Sequence, residues 1–236
     1  MKVVISTLDS LFVSVDFLPQ SDHEIAYNFQ PKKKMTFLAS RVLLRLALKS
    51  FYALDDVPSL YFGHHGKPYF DPDLSIFFNF SHSGNYIGAA FSNMEMGFDI
   101  ECVKERKNFQ GLCKKVLTEP EKNYIFKLSE KEQREFFTLL WTVRESLLKD
   151  SGLGLVGLSS LSFDIEKEIG RAIDNQPLLV NSYFLGALSE DYITPAYFSL
   201  TLRKEEKVDF YIYEKGSLQK KGLRPVKSFV INAPKP

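Results

Sequence analysis

Cysteine is scarce: Cys102 and Cys113 are the two in the chain. They are too few for a disulfide framework and lie in no metal-ligand spacing. The expected compartment is therefore a reducing one, the cytoplasm. Net charge is also nearly absent, at +1 from 30 basic and 29 acidic side chains. No global field draws the chain to nucleic acid or to a membrane surface, so any anion site must be local. No run of about 18 apolar residues exists to span a membrane. Residues 1–19 carry Asp9 and Asp16 and lack the basic start and cleavage site of a secretion signal. Low-complexity stretches and short repeats are missing as well.

What is present is an ordinary globular composition, 44% hydrophobic and 25% charged over 236 residues. That suits one large domain or two small ones. The 21 Phe and 11 Tyr favour an aromatic-rich core containing strands. Strand-like runs occupy 1–15, 75–80, 86–91 and 96–102, and later 162–165, 196–202 and 208–213. A helical period covers 34–52, with Arg41, Arg45 and Lys49 on one stripe. That stripe reads as a solvated face or as an anion contact. Residues 108–116 suggest a short helix. Thr118 with Glu121, and Ser129 with Glu132, are helix-start signals. The second of these opens a long helix over 129–149, ended by Gly152 and Gly154. The order of elements predicts an α+β fold of two halves in contact, 1–102 and 103–219. A basic tail, 220–236, is expected to be loosely held.

Three carboxylates stand out. On the long helix, Phe136, Leu140, Val143 and Leu147 share one side, whereas Trp141, Glu145 and Lys149 fall nearly opposite. The latter set is either a surface Glu–Lys pair or part of a site. Asp99 and Glu101 alternate with Phe98 and Ile100, so both acids leave the strand on one face. Two same-face carboxylates repel unless water or a cation screens them. A hard divalent cation such as Mg²⁺ suits oxygen ligands of this kind. His82 follows a strand among Ser81, Ser83 and Gly84, and Lys67 sits on a Gly-Pro loop.

Four stretches in this order, Gly66-Lys67-Pro68, Phe78-Asn79-Phe80-Ser81-His82-Ser83, Gly97-Phe98-Asp99-Ile100-Glu101 and Trp141-Thr142-Val143-Arg144-Glu145-Ser146-Leu147-Leu148-Lys149, resemble the Sfp-type 4′-phosphopantetheinyl transferase family. The resemblance runs over residues 41–163. It implies two similar α/β halves in pseudo-twofold arrangement with the active site at their interface. It also implies transfer of the phosphopantetheine arm of coenzyme A to a serine of an acyl- or peptidyl-carrier protein, with adenosine 3′,5′-bisphosphate released. A monomer is the expected form.

On this resemblance Asp99, Glu101 and Glu145 hold Mg²⁺, and His82 and Lys149 contact coenzyme A phosphates. Lys67 and Ser81 lie near the nucleotide. Glu145, Lys149 and His82 form the catalytic set, with Glu145 as candidate base. Arg144 stands where the family usually has Lys and is expected to contact phosphate. Arg41 and Arg45 fall in the region that supplies cations for the 3′-phosphate. Lys104, Arg106, Lys107, Lys114 and Lys115, interleaved with Phe109, Leu112 and Val116, suit an acidic carrier protein. The alternative function is a non-catalytic coenzyme A or carrier-protein binding module of the same fold.

Overall fold

The computed structural model describes residues 1–63, 65–172, 176–186 and 194–232. In chain order the elements are β1 (Lys2–Thr7), α1 (Leu8–Phe12), α2 (Gln20–Ala26), α3 (Pro31–Tyr52), β2 (Tyr61–Phe62), β3 (Pro68–Tyr69), β4 (Phe77–Ser83), β5 (Tyr86–Ser92) and β6 (Gly97–Cys102). Then follow α4 (Phe109–Val116), α5 (Glu119–Ile125), α6 (Glu130–Ser151), β7 (Ser162–Asp164), β8 (Ile169–Arg171), β9 (Leu178–Phe184), β10 (Ala196–Leu202), β11 (Asp209–Glu214), β12 (Ser217–Lys221) and β13 (Lys227–Ile231). The fold is α+β. Among the described residues no helix is long and apolar enough to cross a membrane.

Two sheets carry the architecture, ordered β12-β11-β1-β5-β4 and β6-β10-β9-β13-β8-β7. Within them a unit recurs. A strand of 6 residues, a helix of 22 and two antiparallel strands of 7 appear as β1–α3–β4–β5 and again as β6–α6–β9–β10. In each unit the last strand pairs antiparallel with both of the other strands. The chain therefore contains two similar halves.

The layers follow from alternation. Val4, Ala89 and Phe91 face α3 through Leu43, Ala47 and Leu48. Val3, Ile5 and Ala90 face Phe98, Ile100, Phe198 and Leu200 in a core between the sheets. Val180, Phe229 and Ile231 face α6 through Phe137, Leu140, Val143 and Leu147. Strand side chains point alternately to the two faces, so each sheet serves two cores.

The strands do not sort by a division at residue 102. β6 belongs to the second sheet through β10, whereas β11 and β12 return to the first through a parallel pairing of β11 with β1. The chain after residue 220 is not loosely held through to 232: β13 inserts between β9 and β8, with Phe229 and Ile231 fully buried. The charge of Lys220, Lys221 and Lys227 masked that apolar alternation. Residues 233–236 of the same expected tail lie outside the described residues.

Helix α6 begins at the expected cap. The Ser129 backbone N–H donates to Glu132 Oε2 at 3.0 Å, and Gly152 closes the helix at φ 68°. Its sheet-facing side is polar but small. Thr142 shares a hydrogen bond of 2.7 Å with Ser199, and Thr201 donates to Ser146 Oγ at 3.0 Å. Small side chains let helix and sheet approach closely, and Gly97 marks the tightest point. A Cβ there would lie 1.7 Å from the Ser146 carbonyl oxygen. Gly97→Ala must push α6 off β6. The expected cost is about 3 kcal/mol, at the upper end for overpacking, and urea denaturation would measure it. Wild-type stability in that variant would disprove the close approach.

Candidate active site

The site is assembled where edge strand β4 of one sheet meets edge strand β6 of the other, beneath the last turns of α6. Asp99 and Glu101 leave β6 on the face opposite Phe98 and Ile100, as alternation requires. Asp99 is 5% exposed. Its Oδ1 accepts from Ser81 Oγ at 2.6 Å and from Lys149 Nζ at 2.7 Å. Lys149 Nζ also donates to the Phe80 carbonyl at 3.2 Å. Glu101 Oε1 pairs with Lys104 Nζ at 2.6 Å and with Arg106 Nη2 at 3.2 Å.

Glu145 is half-buried, and among the described residues it has no ion-pair partner. Burial raises its pKa, and the charge of Asp99 raises it further against the opposing effect of Lys149. Burial likewise raises the Asp99 pKa, against Lys149 and the Ser81 hydrogen bond. The three acids are thus close enough to repel one another in a partly dry setting.

Two cavities flank Phe80. One, of about 300 Å³, is lined by Lys67, Asn79, Phe80, Glu145 and Lys149. The other, of about 500 Å³, is lined by Lys32, Lys33, Phe80, Ser81 and His82. His82 is exposed at that opening, yet desolvation by the surrounding protein and then the charges of Lys149 and Lys32 lower its pKa. Asn79 is 4% exposed, and its side-chain oxygen has no donor among the described residues.

Other expected contacts sit differently. Arg144 does not face phosphate: it is fully buried and pairs with Glu121 at 2.5 Å over the Phe163 ring. Glu121 also accepts from the backbone N–H of Thr118 and of Phe163, both at 2.8 Å. The pair ties α6 to α5 and β7, so Arg144 is a strut and out of reach of solvent. Arg41 and Arg45 line neither cavity. Arg41 pairs with Asp22 at 3.5 Å and lies over Phe37, and Arg45 pairs with Asp56 at 3.2 Å. With Lys49 on Asp55, the stripe is an ion-paired face. The cations that α3 contributes beside His82 are Lys32 and Lys33, from its first turn.

Lys67 is anchored within the protein. Its Nζ donates to Glu95 at 2.7 Å and to the Asp150 carbonyl at 3.1 Å, with the Tyr69 ring below. Ser81 serves Asp99 directly. Trp141 is no wall of the site; it packs in the α6 core, stacked on Phe137. Lys104, Lys107, Lys114 and Lys115 are exposed, whereas Arg106 is turned inward onto Glu101.

The sequence pattern described as the 4′-phosphopantetheinyl transferase superfamily matches residues 95–194. A 4′-phosphopantetheinyl transferase AcpT of Salmonella typhimurium is 30% identical over 201 residues, covering 85% of this chain and 95% of that protein. The chain belongs to the 4′-phosphopantetheinyl transferase superfamily. The Escherichia coli AcpT is 32% identical over 124 residues, 52% of this chain and 60% of that protein's length. The Bacillus subtilis transferase Sfp is 31% identical over 134 residues, 56% of this chain and 58% of its own length.

Among the described residues no three His, Cys, Asp or Glu side chains are gathered closely enough to hold a metal. The donor chemistry nevertheless fits a hard divalent cation. Three mutually repelling oxygens, one without a counter-charge, lack the positive charge such an ion supplies. Cationic side chains stand against Asp99 and Glu101 instead, and chelation requires the side chains to turn.

The Arg144–Glu121 pair predicts a stability asymmetry. Removing one partner, by Glu121→Gln or Arg144→Met, strands a buried charge and should cost about 3–5 kcal/mol in chemical denaturation. The double variant should cost less than the two single losses added together. Additive losses would show that the two side chains do not act as a unit.

Proposed function

We propose that this protein transfers the 4′-phosphopantetheine arm of coenzyme A to a serine of an acyl- or peptidyl-carrier protein, with Mg²⁺, releasing adenosine 3′,5′-bisphosphate. The observation that carries the reading is the junction of Asp99, Glu145 and Lys149, beside two cavities lined with lysines. Mg²⁺, held by Asp99, Glu101 and Glu145, supplies charge stabilisation at the phosphates.

Each remaining role belongs to a side chain of this protein. Lys149 has three ammonium donors, and Asp99 and Phe80 take two. The third is left for a phosphate oxygen, where negative charge grows as the leaving bisphosphate departs. His82, held near neutrality by its surroundings, donates one ring N–H to the anion, and Lys32 and Lys33 add charge at the same opening. The carrier serine Oγ bonds to the β-phosphorus while the bond to the leaving phosphate oxygen breaks. Glu145, which lines the cavity together with Lys149, takes the serine proton. The exposed Lys104, Lys107, Lys114 and Lys115 suit an acidic carrier surface.

Incubation with coenzyme A, Mg²⁺ and a panel of apo-carrier proteins, read by mass spectrometry, should show the mass increment of the arm. EDTA should abolish it. Glu145→Gln and Asp99→Asn should lower the rate by at least about 100-fold while circular dichroism stays native. A folded wild-type protein that binds coenzyme A but modifies no carrier would favour the binding module instead.

A further inference from the structure

The two acids of β6 are held alike. Asp99 is gripped through Oδ1 alone, by Ser81 and Lys149. Glu101 is gripped through Oε1 alone, by Lys104 and Arg106. Among the described residues Asp99 Oδ2 and Glu101 Oε2 accept no hydrogen bond. One oxygen of each acid is anchored and the other is left over.

The two anchors on Glu101 are not equivalent. Lys104 is 55% exposed and Arg106 12%. A solvent-exposed ammonium on a flexible stem orders a carboxylate weakly. Arg106 is fixed on several sides. Its Cζ lies 5.0 Å from the centroid of the buried Phe137 ring, and its Nη1 donates to Thr138 Oγ and to the Lys104 carbonyl, both at 3.4 Å. Phe137 and Thr138 belong to α6, the helix that carries Glu145. Arg106 therefore links the orientation of Glu101 to that helix, across the gap the three acids must close. Carboxylates that bind metals are commonly oriented by such partners, whose loss weakens binding.

We propose that Arg106 is a positioning residue for Glu101, holding one carboxylate oxygen so that the other is presented to the divalent cation. This rests on the reading of Asp99, Glu101 and Glu145 as cation ligands. The direction of the effect is diagnostic. By charge alone, removing a neighbouring guanidinium should tighten cation binding, whereas loss of orientation should weaken it.

Calorimetric titration of the EDTA-stripped full chain with Mn²⁺ alone tests this without turnover. Arg106→Gln should weaken Mn²⁺ binding by about 10–100-fold, and Arg106→Lys should recover part of the loss. In a Glu101→Gln background Arg106→Gln should change the affinity by less than about twofold, because distinct actions add and shared ones do not. Should Arg106→Gln not fold, Thr138→Val removes one anchor of the guanidinium and should weaken Mn²⁺ several-fold. Unchanged or tighter binding by folded Arg106→Gln overturns the proposal, as does an equal loss in the Glu101→Gln background. Wild-type protein that gives neither heat nor a melting shift with Mn²⁺ overturns the cation reading itself, a failure visible before any variant is compared.

Discussion

The approach of α6 to β6 at Gly97 is the constraint on which the site depends. A backbone carbonyl of the helix occupies the space where any other residue would carry its Cβ. The hydroxyls of Thr142, Ser146, Ser199 and Thr201 make the approach possible, because each is small and each finds a polar partner in the dry interface. Two residues along the strand from Gly97 stands Asp99; on the helix Glu145 directly precedes Ser146, and Lys149 follows one turn later. A bulkier interface would widen the gap between strand and helix, and the 2.7 Å Lys149–Asp99 contact would open with it.

That closeness creates an electrostatic problem with a local answer. Buried carboxylates are costly unless paired. Asp99 has Lys149 and Ser81, Glu101 has Lys104 and Arg106, and Glu145 has only the attraction of Lys149. Global charge is almost balanced, so this concentration of cations is a property of place. It comes from the end of α6, the start of α3 and the segment after β6, which meet near the seam between the sheets. Lys32, Lys33 and Lys149 all face the two cavities beside Phe80.

Much of this was legible because it is local. The capping signal at Ser129 and the glycine at 152 bound α6. The alternation of Phe98, Asp99, Ile100 and Glu101 fixes which side of β6 carries the carboxylates. What escaped was set by partners distant in sequence. Arg144 stands beside Glu145 in the chain and looks like a second phosphate cation, yet Glu121, 23 residues earlier, draws it into the core. Arg41 and Arg45 form a convincing basic stripe whose acids, Asp22 and Asp56, lie on other segments. The hydroxyls of Thr142 and Ser146 on α6 carry no signal in sequence that they face those of Ser199 and Thr201. The return of β11 to β1 could not be read from alternation alone, which says that a strand exists and nothing about its neighbour.

The repeated unit explains why the three carboxylates and Lys149 come from one half. Glu145 and Lys149 lie 15 and 19 residues after the first residue of α6, Glu130; the same offsets from Pro31 in α3 give Leu46 and Ser50. The third and fifth residues of β6 are Asp99 and Glu101; those of β1 are Val4 and Ser6. Topology supplies the physical reason. β1 lies inside its sheet between β11 and β5, so Val4 is fully buried and Ser6 must donate to a backbone carbonyl, that of Tyr213. β6 is an edge strand, and on its open side it meets β4 without a shared ladder. Acids can survive there because Lys149, Lys104, Arg106 and the Ser81 hydroxyl all reach them. The pairing of β1 with β11 and β5 leaves no open edge for acids in the first half's counterpart strand, whereas the unpaired edge of β6 leaves its acids within reach of β4.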